Sequence, residues 1–238
     1  MSQTSAARHI VAVGGAGFSV EPDNLALERY VINLTGKANP RVCFVPTASG
    51  DSQDYIDRYY AASDHLPWQP SLLSLFRGET PDIESVLLNQ DIIYVGGGNT
   101  RNLLVLWRDW GVDKLMREAW ERGIVLTGVS AGSICWFQQG TTDSIPGELT
   151  ALNCLGYLAG SNCPHYDSEE KRQPTYTRMV ASGEILPGYA TDDGVALHYV
   201  GTELNKVISS RPNARAFRVE RDGDRAVETL IRPEFLNG

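Results

Sequence analysis

The chain has 238 residues, of which 42% are hydrophobic and 21% charged, with a formal net charge of -8. That length can bury a sizeable core, and the composition is ordinary for a folded globular protein. The acidic residues are spread rather than blocked, which argues against a nucleic-acid partner or an anionic membrane surface. The four cysteines, Cys43, Cys135, Cys154 and Cys163, stand singly with no C-x-x-C pair, as expected of reduced thiols. No basic segment followed by an apolar core opens the chain, and no apolar run approaches the ~18 residues of a membrane helix. A cytoplasmic location is expected.

His9-Ile10-Val11-Ala12-Val13 reads as a buried strand that ends in Gly14-Gly15-Ala16-Gly17. This turn lacks the G-x-G-x-x-G spacing of a dinucleotide site, so a tight turn bordering an active cleft is expected there. Asn24 to Leu34 has helical spacing, and Arg41 to Val45 is a second buried strand. Residues 51–64 form a tyrosine-rich helix, Ser71 to Leu75 a third strand, Pro81 to Leu88 a short helix, and Asp91 to Val95 a fourth strand. The glycine-rich Gly96-Gly97-Gly98-Asn99-Thr100 follows, then one helix through Leu103, Leu104 and Leu106 and another from Val112 to Glu121. Strand and helix alternate over the first 140 residues. That pattern predicts an α/β fold with a doubly wound, mostly parallel sheet and helices on both faces.

The fifth strand, Ile124 to Thr127, runs into Gly128-Val129-Ser130-Ala131-Gly132, which fits G-x-S-x-G. This pattern marks a strand turning sharply into a helix with a serine at its apex. The glycines answer crowding, because a strained turn needs neighbours without Cβ atoms. Ala131 N–H lies at a helix start, where it can stabilise an oxyanion, and Gly97 or Gly98 can supply a second donor. Beyond the elbow, Cys135 to Phe137 is expected to continue the helix and residues 140–156 to be loop-rich. No linker or repeat divides the chain, and one domain spanning residues 1–238 is expected.

A serine nucleophile needs a base and a carboxylate to orient it. Of the four histidines, His9 opens a strand at the wrong end of the sheet, and His65 sits in a polar stretch. His198 lies mid-strand, whereas His165 follows Pro164 at a loop entry and is the candidate base. Asp143, Asp167, Asp192 and Asp193 are the candidate acids. Cys163 and His165 together fall short of the ligand number of a zinc site, so no metal and no cofactor are expected.

Gly96–Thr100, Gly128–Gly132 and Pro164-His165 together resemble the peptidase E (aspartyl dipeptidase) family and its cyanophycinase relatives, from about residue 90 to 200. The resemblance implies a class I glutamine amidotransferase-like fold and a serine exopeptidase acting on short peptides, with a Ser–His–acid arrangement. It assigns Ser130 as nucleophile, His165 as base, and Gly98 and Ala131 as oxyanion donors. Asp193 stands where the family has glutamate, with Asp192 as the alternative. Substrate contacts fall to Asn99, Asp167 and Glu169, the acids serving the α-amino group. The family's arginine for a substrate aspartate aligns near Thr175, with Arg172 and Arg178 displaced from it, so strict aspartate preference is not implied. A homodimer is compatible with this reading.

Two other readings are open at this point. An α/β-hydrolase-type esterase would use the order Ser130, Asp167, His198. A small-molecule binding protein would carry the same scaffold with a vestigial site. Glutamine amidotransferase activity is not expected, because it needs a cysteine at the elbow.

Overall fold

The computed structural model describes residues 7–78, 80 and 82–236. Residues 1–6, and the expected helix start at Pro81, lie outside the described residues. The elements begin with β1 His9–Val13, α1 Ala26–Leu34, β2 Arg41–Val45, a 3₁₀ turn Thr47–Ser49, α2 Gln53–Ser63 and β3 Gln69–Leu72. Next come α3 Ile83–Leu88, β4 Ile92–Val95, α4 Thr100–Asp109, α5 Val112–Glu121, β5 Val125–Val129 and α6 Ala131–Ile134. The remainder is β6 Phe137–Thr142, β7 Thr150–Asn153, β8 Leu158–Cys163, α7 Arg172–Ser182, β9 Gly188–Thr191 and β10 Val195–Val200. The chain closes with β11 Glu203–Ser209, β12 Ala216–Asp222, β13 Arg225–Ile231 and β14 Glu234–Phe235.

The first sheet has eight strands in the order β14-β11-β10-β1-β5-β4-β2-β3. Its β1-β5-β4-β2-β3 part is parallel throughout, and β10 adds antiparallel to β1. Parallel strands covered on both faces read as continuous apolar runs, and β4 and β5 are buried along their whole length. Side chains alternate along each strand. Ile10 and Ala12 of β1 therefore join one core, and Val11 and Val13 the other. Helices α1 and α2 supply Val31, Ile56 and Tyr59 to the second core. Helices α4 and α5 supply Leu103, Trp107, Met116 and Trp120 to the first, through i, i+4 pairs on one stripe. Full burial of each such side chain stabilises the fold by about 1.5–3 kcal/mol.

Several sequence expectations need correction beyond the fifth strand. Helix α6 ends at Ile134, and Phe137 begins β6 instead of continuing the helix. The stretch 140–156 is loop-rich at 143–149 and 154–156, as expected, but it also carries the antiparallel pair β6–β7, which the sequence pattern does not predict. These strands open a second sheet of six, in the order β13-β12-β9-β8-β6-β7. Polar residues whose side chains accept from backbone N–H groups, such as Gln139 and Thr142, masked its period. The third strand starts and ends earlier than expected, at Gln69–Leu72. After it, Ser74 Oγ–H and Phe76 N–H donate to Asp51 Oδ2, which turns the chain away from the sheet.

Candidate active site

The turn at the end of β5 has the crowding that its glycines imply. A Cβ on Gly128 would stand 2.5 Å from Gly132 O, and one on Gly132 would stand 2.3 Å from Val95 O. Between them Ser130 has φ 56° and ψ -111°, a region that costs an ordinary residue about 1–3 kcal/mol. Ser130 N–H donates to Val13 O at 3.1 Å, and Ser130 O accepts from Ser133 and Ile134 at 2.9 Å, so both sides of the kink are held.

His165 also has positive φ, 57°, at the exit from β8, with Tyr166 N–H bonded to Thr191 O. Its Nδ1 lies 2.8 Å from Asp193 Oδ1. Burial pushes the Asp193 carboxyl up, but the hydrogen bond and charge of His165, Ser168 and the Arg211 guanidinium outweigh it and hold the carboxyl below its ordinary value. Asp193 N–H donates to Asp167 Oδ1 at 2.8 Å, and Gly194 N–H donates to Gly15 O at 3.0 Å. Gly15 is packed so closely that a Cβ there would sit 1.8 Å from Asp193 Oδ1 and 2.7 Å from His165 Nδ1. The glycine turn after β1 thus borders the cleft, as its sequence suggested.

Ser130 and His165 line one cavity of about 320 Å³, together with Ala16, Tyr55, Arg58 and Gly97. Among the described residues, Ala16, Ser130 and His165 are three of the five non-glycine residues with positive φ, the others being Asp51 and Asn213. Strain concentrates at functional sites because only a well-determined surrounding can hold it. Among the described residues no hydrogen bond joins Ser130 Oγ to the imidazole, a contact that often tightens only when substrate binds.

A second cavity of about 260 Å³ opens on the other side of Ser130, lined by Gly98, Asn99, Asp143, Ser144, Glu169 and Arg172. Gly98, with φ 134°, is wedged against Ala48, where a Cβ would meet the backbone oxygen at 2.3 Å. Tyr55 Oη accepts the neighbouring Gly97 N–H at 3.2 Å. Ala131 N–H lies at the start of α6, directly after Ser130.

The structure separates the remaining expected residues. Asp192 does not face His165: it accepts from Arg215 N–H and Nε–H, at 2.9 and 3.0 Å. Burial raises its pKa, partly offset by Arg215. Asp167 is taken up by Asp193 N–H. Asn99 lines the second cavity, but its amide is occupied at both ends, capping α4 through Asn102 N–H and donating to Ser144 O. Arg172 is buried, donating to Thr141 O at 2.8 Å and to Glu169 Oε2 at 2.7 Å. Arg178 is turned away on α7 and paired with Glu184 at 2.8 Å. The order Ser130, Asp167, His198 is not assembled, because His198 bonds His9 and Tyr30 at 3.0 and 2.8 Å. Cys163 is fully buried in the core with Tyr176 and Met179, and burial pushes its thiol up to about 12. Sequence reasoning missed Tyr55 and Ser144 as lining groups. A tyrosine on a helix and a serine in a loop have no signal until the loops converge.

The sequence profile of peptidase family S51 matches residues 10–207. The chain belongs to this family. It is 53% identical over 212 residues to the uncharacterized peptidase YgaJ of Bacillus subtilis, covering 89% of this chain and 92% of that protein. It is 30% identical over 145 residues to peptidase E of Shewanella denitrificans, covering 57% and 61% of the two chains. In structure it is similar to a peptidase from an acI-B1 Actinobacterium, with TM-score 0.71, 17% identity and coverage of 97% and 96%. A putative peptidase E protein of Listeria monocytogenes gives TM-score 0.61 and 22% identity, with coverage of 86% and 99%. Membership of family S51 makes this chain a serine-type peptidase, a hydrolase.

The groups gathered at the cleft suit acyl transfer. A hydroxyl stands at a strained apex, an imidazole is oriented by a carboxylate, and backbone N–H groups lie at a helix start and a glycine strip.

Proposed function

We propose that this S51 peptidase is an exopeptidase that hydrolyses a peptide bond near the N-terminus of short peptides. Ser130 Oγ attacks the carbonyl, and His165 takes its proton and returns it to the leaving amine. Asp193 holds the imidazole as the Nδ1–H tautomer and stabilises its cation. Gly98 and Ala131 N–H groups receive the oxyanion. The observation that carries this reading is the 2.8 Å His165–Asp193 pair, whose imidazole lines the same cavity as Ser130.

The exopeptidase part rests on charge. Asp143 and Glu169 line the second cavity with one cation, Arg172, which Glu169 engages at 2.7 Å and Asp143 reaches at 4.0 Å. The excess negative charge suits a substrate α-ammonium group. With its charge taken up by Glu169, Arg172 gives no free receptor for an acidic side chain. The reading therefore does not include strict preference for N-terminal aspartate.

The test is digestion of a dipeptide and tripeptide library, with N-acetylated controls, read by mass spectrometry. Free peptides should be cut and acetylated ones spared. Ser130→Ala should lose turnover on the order of 10⁴-fold or more while the melting temperature is kept. Cleavage by purified Ser130→Ala, or of acetylated peptides equally well, would overturn the reading.

A further inference from the structure

A cavity of about 670 Å³ lies beside the one that holds Ser130 and does not itself contain Ser130. It shares Ser19, Val20 and Arg58 with the cavity that does, so the two adjoin across these residues as two parts of a groove. Given the exopeptidase reading, on which this rests, we infer that the groove receives the leaving part of an oligopeptide several residues long, with its C-terminal carboxylate toward Arg29.

Two observations fix the direction. First, His165 must hand its proton to the leaving amine, and the imidazole lines the cavity on the groove side of Ser130, whereas Gly98 and the acidic Asp143 and Glu169 line the other. The leaving segment therefore departs past Tyr55 and Arg58. Second, the charges differ along that path. Arg58 is paired with Asp54 at 2.8 Å and donates to Ser19 O, so its charge is spoken for. Arg29, which lines the larger cavity, donates only to the neutral His65 O at 3.1 Å, and among the described residues no carboxylate lies within ion-pair distance of it. Asp23 stands at the same cavity without reaching it. A guanidinium with spare donors is a fitting receptor for a terminal carboxylate. Val20, which lines both cavities, is 64% exposed, an apolar wall that a passing side chain would cover.

The test uses peptides with one N-terminal residue in common and leaving segments of one to five alanines, with free or amidated C-termini. Wild-type and Arg29→Glu enzymes are compared by kcat/KM, and Ser130→Ala affinity is read by calorimetry. Lengthening the leaving segment from one residue to four should raise kcat/KM about tenfold through added apolar contact and charge pairing. Amidation or Arg29→Glu should each remove about fivefold of the gain on the long peptides and leave the dipeptide unchanged. Equal turnover of short and long peptides, or indifference to both charge changes, would overturn the inference. If wild type cuts none of the series while Ser130→Ala binds it more tightly with length, the exopeptidase reading fails and the groove stands. Absent or length-independent binding overturns the groove itself.

Discussion

Gly15→Ala changes one hydrogen for one methyl and should disable the site without replacing any reacting group. The added Cβ would lie 1.8 Å from Asp193 Oδ1, 2.6 Å from its Cγ and 2.7 Å from His165 Nδ1. To restore van der Waals contact the carboxylate has to retreat by about 1.5 Å, which breaks a hydrogen bond that now measures 2.8 Å. Gly15 does not have the positive φ that would strain an alanine by itself, so the collision is the whole effect. Losing the orienting carboxylate in a Ser–His–Asp arrangement costs on the order of 10⁴ in kcat. Partial compensation by a shifted Asp193 brings the expected loss to about 10³, or roughly 4 kcal/mol of transition-state stabilisation. The assay is kcat/KM on a cleaved tripeptide for wild type, Gly15→Ala, Asp193→Asn and the double variant, with melting curves as a folding control. Because both changes act through one pair, the double variant should be no slower than Asp193→Asn alone. A Gly15→Ala enzyme within threefold of wild type, or a double variant with multiplied losses, would refute the argument.

Asp192→Asn should leave kcat within a few-fold of wild type and instead weaken folding, because Asp192 serves Arg215 rather than His165. Parallel kinetics and melting of Asp192→Asn and Asp193→Asn separate the two carboxylates. Gly132→Ala drives a Cβ to 2.3 Å from Val95 O in the backbone of β4. Such overpacking costs about 1–3 kcal/mol, and at ~2–4 °C per kcal/mol the melting temperature should fall by roughly 2–12 °C; an unchanged melting curve would contradict it. His198 also links folding to pH. Burial and the neighbouring His9 and Lys206 lower it from 6.5 to about 4, so protonation favours the unfolded chain. Stability is full above pH 6.5 and drains away as pH falls toward 4, by about 3 kcal/mol from this group. Urea unfolding of wild type and His198→Gln at pH 7 and pH 4 should show the loss shrinking in the variant.

Much of the site was legible in the residues because its chemistry demands unusual local types. A G-x-S-x-G after an apolar strand admits few uses, and the packing around Gly128 and Gly132 gives the physical cause of that pattern. With four histidines to choose among, the loop entry after Pro164 singled out His165. The parallel half of the first sheet was equally legible, since doubly buried strands leave uninterrupted apolar runs. The second sheet was not. Its strands mix polar and apolar residues, and the partners of those polar groups lie far along the chain, as Asn162 Oδ1 of β8 accepts from Ser133 Oγ–H of α6 at 3.0 Å.

Local sequence determined the elbow, the candidate base and the glycine turns, because each depends on backbone freedom within a few residues. Tertiary structure decided which aspartate meets His165, which arginine enters the cleft, and that two cavities flank Ser130. Those choices depend on loops far apart in the chain converging at one sheet edge. Asp192 and Asp193 are chemically identical neighbours, and the chain direction leaving β9 sends one to Arg215 and the other to the imidazole.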